Sequence, residues 1–353
     1  MGVDLGGLLP SQPVTLAQLA GKVLAVDAYN TLYQFLAIIR GPDGTPLRDS
    51  KGRVTSHLTG LLHRTANIAA AGVGTVFVFD GAPHPLKAKV LQARKDVRQK
   101  AQEAYEEAIA EGDLERARSK AQQTSTLSKE MVDQAKRLLA SFGFPIVQAP
   151  SEGEAQASVM ARKGQVYAAA SQDFDSLLYG APHLVRNLNI TGRRKLPGRQ
   201  AFVDVTPETI DLDSGLRASG LTQEQLIDIA ILVGTDYNPG VAGIGPKTAV
   251  KIIKDYTTIE GALAHAGKIK GAGGTRLTEG REGLGEVDTI RRLLLQPSVS
   301  ADVKLTWGGL DRDAVLKQLV DDHEFARERV VAALDKLASS PLYRRQKSIS
   351  DWV

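Results

Sequence analysis

Val76-Phe-Val-Phe79 is an uninterrupted apolar run that gives way at once to Asp80 and Gly81. A short run of β-branched and aromatic residues bounded by glycine or polar positions is the mark of a strand buried on both faces of a parallel sheet. Lys22–Val26 and Val166–Ser171 have the same character, and each stops at or near an acid, Asp27 in one case and Asp173 in the other. Helical patterns over Ser56–Ala71, Ser128–Phe142, Ser151–Lys163 and Thr222–Gly234 lie between and after these runs. Strands therefore alternate with helices, and the expected fold is α/β, a mostly parallel central sheet flanked by helices.

Composition bounds what such a fold can do. With 353 residues, 42% of them apolar and 24% charged, the chain closes a core without staples, which excludes overall disorder and small disulfide scaffolds. No window approaches the roughly 18 uninterrupted apolar residues of a membrane span, and the N-terminus lacks a secretory layout, so a protein that stays off membranes and in its compartment of synthesis is expected. The chain has no cysteine, which removes thiolate nucleophiles, cysteine zinc sites and iron–sulfur clusters, and its 6 histidines show no zinc-ligand spacing. Any metal should be a hard cation held by oxygen. The 44 basic and 40 acidic residues leave a net charge of +4, too modest to argue for nucleic acid by itself.

The placement of the acids is more informative. Asp27 and Asp80 end their strands at the carboxyl edge, where open α/β sheets bind ligands. Asp173 and Asp175 share the loop Ser171-Gln-Asp-Phe-Asp, Glu152 and Glu154 open the helix after Ala149-Pro150-Ser151, and Asp236 follows the apolar helix Ile227–Val233 in Gly234-Thr-Asp-Tyr. Each has a structural reading: Ser151-x-x-Glu154 is a capping box, Glu152 suits a helix N-terminus, and acids after strands make turns and caps. Their convergence on one sheet edge would crowd negative charge that only a cation makes tolerable. Clustered carboxylates without soft ligands suit Mg²⁺ or Mn²⁺, and two such ions about 4 Å apart hydrolyse phosphodiesters, one activating water and the other stabilising the leaving oxygen.

Lys87 and Arg94 lie seven apart after Pro85, nearly two helical turns, so they would project from one face beside Asp80, placed to hold a phosphate. An ordinary solvated helix carries such pairs too. Gly240-Val-Ala-Gly-Ile-Gly-Pro-Lys-Thr is not a nucleotide-triphosphate loop, because Pro246 separates Gly245 from Lys247. It reads either as a plain turn or as a hairpin whose glycines let backbone N–H groups approach a nucleic-acid phosphate, with Pro246 opening the next helix. Between about 85 and 140 charge stands at nearly every second position, basic from Lys87 to Lys100 and acidic from Glu103 to Glu115. This is a solvated helical hairpin or a helical arch over the sheet edge.

Met1-Gly-Val-Asp-Leu, Val26-Asp-Ala-Tyr-Asn, Val78-Phe-Asp-Gly, Ala149-Pro-Ser-Glu-Gly-Glu-Ala, Ser171-Gln-Asp-Phe-Asp-Ser, Gly234-Thr-Asp-Tyr and Gly243-Ile-Gly-Pro-Lys, in this order, resemble the flap endonucleases of the XPG-type 5′ nuclease family. The resemblance covers essentially the whole chain and implies an archaeal-type, structure-specific enzyme, cytoplasmic and nucleoid-associated, that cuts 5′ flaps in replication and repair and also acts as a 5′–3′ exonuclease. It implies one nuclease domain over about 1–340, with an N-terminal region to about 84, a helical arch at about 85–140, an internal region from 141 containing a helix-hairpin-helix at about 222–256, and a clamp-binding tail at 341–353. By position, Asp27, Asp80, Glu152 and Glu154 match one part of a two-Mg²⁺ cluster and Asp173, Asp175 and Asp236 the other, while Lys87 and Arg94 match the basic pair at the foot of the arch.

The same resemblance makes Tyr33 an aromatic that stacks on a base, although its neighbours Leu32, Phe35 and Leu36 would also suit a core residue. It makes Gly243, Ile244, Gly245 and Lys247 a duplex-holding hairpin with a K⁺ ion, and Gly2 the mature N-terminus near the DNA junction. Gln346, Ile349 and Trp352, spaced three apart, resemble a plug for the sliding clamp PCNA, with Val353 where the family usually has a second aromatic. The expected form is a monomer acting on branched DNA with a 5′ flap. A relative preferring bubbles, junctions or RNA, and a non-catalytic DNA-binding clamp adaptor, are the competing readings.

Overall fold

The computed structural model describes residues 3–343 apart from 4, 42–43, 112, 114–115, 117–119, 121–123, 190–191, 196–201, 268, 270, 272–276 and 279. Gly2 and the tail residues Gln346, Ile349, Trp352 and Val353 therefore lie outside the described residues. In chain order the strands are β1 Ser11–Pro13, β2 Val23–Asp27, β3 Gly74–Phe79, β4 Ile146–Gln148, β5 Ala168–Ala170, β6 His183–Arg186, β7 Gly192–Lys195, β8 Phe202–Val205 and β9 Glu208–Asp211. The chain divides into two compact units, Met1–Val14 with Asp80–Gln92 and Ala149–Ala301, and Thr15–Phe79 with Ala93–Gln148 and Asp302–Val353.

In the second unit β2 and β4 flank β3, both parallel to it. All six residues of β3 are buried, as an apolar run with no alternation requires. Helix Ser56–Ala70 packs against helices Ala28–Ile38, Lys129–Ser141 and Arg327–Ala338. Gly60 is the reason Phe35 can lie on its backbone, since a Cβ there would fall 2.2 Å from the ring.

This unit also buries a polar chain. His323 Nδ1 donates to the Gln318 carbonyl at 2.7 Å, which leaves its Nε2 to accept from Gln134 Nε2 at 3.1 Å. Gln134 Oε1 in turn accepts from His57 Nε2 at 3.0 Å. The Gln134 amide thus links the two imidazoles, one through its oxygen and one through its nitrogen.

In the first unit β5 runs parallel to β6, while β9 lies antiparallel between β6 and the edge strand β1. The sequence reading located β2, β3 and β5, all in parallel pairs; it missed the short β1, β4, β6 and β9. β7 and β8 form a separate two-stranded ribbon. Helix Gln223–Val233 buries Leu226, Ile227, Ile229, Ala230, Ile231 and Leu232, so it is apolar on nearly every side and lies inside the unit. Thr222 and Gln225 close its start as a reciprocal capping box. It packs on helix Pro246–Tyr256, which buries Ala249, Ile252 and Ile253. Each such leucine or isoleucine contributes roughly 1.5–3 kcal/mol of burial.

Burial holds the His57 imidazole down to about 4, below its ordinary 6.5. The unfolded chain takes up that proton near 6.5 and the folded one does not until about 4, so the contribution of neutral His57 is complete above pH 6.5 and is lost on acidification through that window. Denaturant unfolding at pH 7 and pH 4.5 should show a loss of up to about 3 kcal/mol that shrinks in His57→Gln. Identical losses in both proteins would show that His57 is not the titrating group.

Candidate active site

The first unit gathers six of the seven predicted acids. Strand β3 ends at Phe79, and Gly81 then folds back so tightly that a Cβ would fall 2.3 Å from the Ala149 carbonyl oxygen. Gly81 N donates to Ser151 O at 2.6 Å and Ala82 N to Pro150 O at 3.2 Å. This pairing brings Asp80 to the start of helix Gly153–Arg162, where its Oδ1 accepts from Gly153 N at 2.7 Å. The expected capping box at Ser151 and Glu154 is not formed. Glu152 is the N-cap residue and makes no side-chain cap, because Asp80 supplies the oxygen instead. Glu154, released from capping, accepts from Ser176 Oγ at 2.9 Å beside Asp175. Asp175 accepts from the backbone N–H of Val3 at 2.9 Å, so the N-terminal segment is tied to the acids.

One cation stands among them. Lys87 Nζ lies 2.5 Å from Glu152 Oε2 and 3.2 Å from Asp236 Oδ2. Lys87 was expected on an α-helix with Arg94; instead it closes the 3₁₀ turn Pro85–Lys87, ahead of helix Ala88–Ala110. Pro85 opens that turn and the His84 imidazole accepts from Leu86 N at 3.3 Å, so the seven-residue spacing is not two turns of one α-helix. Arg94 is half-buried within helix Ala88–Ala110.

The electrostatics follow from this crowding. Burial, with the negative charges of Glu152 and Asp236, pushes the Asp80 carboxyl up to about 6. Burial, with Asp236 and Asp173, pushes Asp175 up to about 7. Burial alone would lower Lys87, but Glu152, Asp236 and the neighbouring Tyr237 outweigh it and hold the ammonium charged, above its ordinary range. Glu152 Oε1 is buried without a hydrogen-bond partner among the described residues.

An orphaned carboxylate oxygen and two carboxyls that resist ionisation fit a further cation of hard character. Among the described residues no three acids or histidines are grouped so that they could hold a metal ion as they stand. The ammonium of Lys87 already stands between two of the acids, Glu152 and Asp236. Asp27 lies in the other unit, where it ends β2 and caps helix Ala28–Ile38 by accepting from Asn30 N at 3.0 Å. Tyr33, on that helix, is half-buried while Leu32, Phe35 and Leu36 are fully enclosed, so it is not one of the core aromatics.

The glycine hairpin follows helix Gln223–Val233. Gly243 has φ +79°, a conformation glycine adopts freely. Gly243, Gly245 and Lys247 are exposed and Ile244 is buried beneath them. Gly245 is the N-cap of helix Pro246–Tyr256 and no side chain caps that end.

Family models match three consecutive regions: the XPG N-terminal domain over residues 6–101, the XPG I-region over 143–236, and a 5′-3′ exonuclease C-terminal SAM fold over 221–307. The protein named Flap endonuclease 1 of Hyperthermus butylicus is 50% identical, covering 100% of this chain and 99% of the relative. That of Pyrococcus horikoshii is 45% identical over 100% of this chain and 98% of the relative. The chain belongs to the flap endonuclease family. The solved flap endonuclease of Methanococcus jannaschii, 38% identical, covers 98% of the chain and 100% of its own length with a TM-score of 0.74, so fold and family agree.

As a structure-specific flap endonuclease the protein is a hydrolase of branched DNA in replication and repair, and the exonuclease match falls on the helices around Gly243–Gly245. Sequence reasoning missed Tyr237, Tyr179, His84 and Ser176 around the acids. Tyr237 directly follows Asp236, and that adjacency was its only signal.

If Lys87 fills the place of a cation, removing its charge should free the acids for another. Lys87→Met should bind Mn²⁺ more tightly, by roughly tenfold, in an electron paramagnetic resonance titration. Unchanged or weaker binding would show that the ammonium does not compete.

Proposed function

We propose that this flap endonuclease cuts at the base of a 5′ flap using Mg²⁺, with Mn²⁺ able to substitute, at the acids gathered after β3 and β5. The observation that carries this reading is the crowding of acids in one unit: Glu152 and Asp236 flank the Lys87 ammonium, Asp80 and Asp175 are pushed up by neighbouring carboxylates including Asp236 and Asp173, and Glu154 bonds Ser176 beside Asp175. These six would hold the divalent ions, together with Asp27 as the seventh. When bound, such ions supply Lewis acidity, acidifying water and neutralising charge on the phosphoryl oxygens.

The side chains do the rest. Lys87, set among the acids, offers positive charge to a phosphate in the transition state, and Arg94 offers a second, forked donor. No side chain serves as a covalent nucleophile; water attacks the phosphorus and the 3′ oxygen leaves with a proton, so the products carry a 5′ phosphate and a 3′ hydroxyl. The exposed Gly243 and Gly245 backbone and the uncapped start of helix Pro246–Tyr256 suit the phosphates of the duplex, with Lys247 beside them and K⁺ on the hairpin carbonyls. Tyr33, partly exposed, would stack on a base next to the cut, and Gly2 would lie near the junction. The segment from about 85 to 140 would form the arch through which the flap passes.

Gln346, Ile349, Trp352 and Val353 would plug into a sliding clamp (PCNA). A monomer in the cytoplasm, close to the nucleoid of an archaeon, is the setting this reading requires; no helix among the described residues is long and apolar enough to cross a membrane.

Labelled 5′-flap duplexes incubated with Mg²⁺ should be cut by the wild type and at least about 10²-fold more slowly by Asp175→Asn. Full activity in that variant would remove Asp175 from the site, and no cutting by either protein would favour a non-catalytic adaptor. Deleting residues 346–353 should spare cleavage of free DNA and abolish stimulation by the clamp. A truncation that kills the bare nuclease would refute the separation of tail from active site.

A further inference from the structure

We propose that Tyr237 is a positioning residue for Lys87, an aromatic shelf that fixes where the ammonium stands. The inference rests on the reading of Lys87 as a phosphate-facing charge. Lys87 Nζ lies over the Tyr237 ring, 5.2 Å from its centroid, within the range at which the negative face of an aromatic attracts a cation. A lysine side chain is a flexible four-carbon stem ending in a point charge, so two carboxylates alone define a direction of pull and not a position. The ring adds a third attraction that the acids cannot supply, and it does so without taking the ammonium's protons. Lys87 can then hold its place and still keep donors for a phosphate.

The shelf is itself fixed on two further sides. Its hydroxyl bonds the hydroxyl of Tyr179 at 2.7 Å, and both groups are buried. Its ring meets the His84 imidazole edge-on, centroids 6.1 Å apart and planes at 82°. His84 caps the turn that carries Lys87, so one aromatic contact fixes both the stem and the tip of the lysine. The turn carrying Tyr237 is closed by Asn238, whose Oδ1 accepts from Thr235 Oγ1 at 2.7 Å and whose Nδ2 donates to Ile231 O at 2.8 Å. Asp236 and Tyr237 are adjacent in that turn, so one short segment presents both an acid and the ring to the same ammonium.

The test is single-turnover cleavage of a labelled 5′-flap duplex with saturating enzyme and Mg²⁺, alongside flap affinity by fluorescence anisotropy. Tyr237→Leu should slow cutting by about tenfold with unchanged affinity, and Tyr237→Phe, which keeps the ring, should stay within about threefold of wild type. In a Lys87→Met background Tyr237→Leu should cost nothing further. An equal loss in that background, or a Phe variant as slow as the Leu variant, would overturn the proposal and leave Tyr237 as packing. If Lys87→Met alone cuts at full rate, the reading of Lys87 fails, and the shelf with it. Should Tyr237→Leu not fold, lysine-selective ¹³Cε labelling decides. The Lys87 Hε resonance, assigned by its absence in Lys87→Met, should be shifted upfield by the ring, and an unshifted signal would refute the contact.

Discussion

Repulsion among buried carboxylates is the constraint around which the first unit is arranged. Asp80, Glu152, Glu154, Asp173, Asp175 and Asp236 come from four separate stretches of chain; Glu152 and Asp236 raise the cost of ionising Asp80, and Asp236 and Asp173 that of Asp175. Left alone they would take up protons or move apart. The fold resists the second outcome with backbone donors, Gly153 N on Asp80 and Val3 N on Asp175, and with the Ser176 hydroxyl on Glu154. It resists the first with Lys87, whose own burial would otherwise strip its charge. Replacing buried ion pairs by apolar side chains of similar volume is often neutral or stabilising, so these charges add little to folding stability.

How these acids are held explains which parts of the site were legible. The strand ends at Asp27 and Asp80 could be read because a run such as Val76–Phe79 has one physical solution, a buried parallel strand, and its last residue must then lie at the carboxyl edge. The remaining acids were legible from their places after a strand, at a helix start and past an apolar helix, and the hairpin from its glycines and Pro246; motif order then gave them their family roles. Glu154 was ambiguous because a capping box and a free carboxylate share one sequence; only the competing bond from Gly153 to Asp80 resolves it. Tyr237 was invisible because a face-on cation contact leaves no spacing signature. Lys87 and Arg94 were given one helical face because a 3₁₀ turn at Pro85 cannot be told from the first turn of a helix. The short strands β1, β6 and β9 carry too few residues for periodicity to register.

The hairpin depends on backbone approaches that leave no room for side chains. A Cβ at Gly283 would fall 2.0 Å from Gly240 O, and one at Gly280 would fall 2.4 Å from the Val241 side chain. Gly240 N donates to Gly283 O at 3.0 Å, and Asn238 Nδ2 donates to the same oxygen at 2.9 Å. One carbonyl therefore serves both the hairpin and the turn holding Asp236 and Tyr237. Glycine at these positions is a steric requirement, which is why composition alone could not assign it.

In the second unit the chain is moored shortly before its last residues. Tyr343 donates its hydroxyl to the Phe142 carbonyl and meets Phe144 edge-on, and Phe144 also touches Phe77 and Trp307. Gln346 follows three residues later. Three residues span at most about 10 Å, so under the proposed clamp contact a partner holding Gln346 would be leashed to this aromatic post at short range. Were that contact made, a short tether of this kind would turn weak capture into high local concentration and let a loosely held enzyme return to its work before it diffuses away.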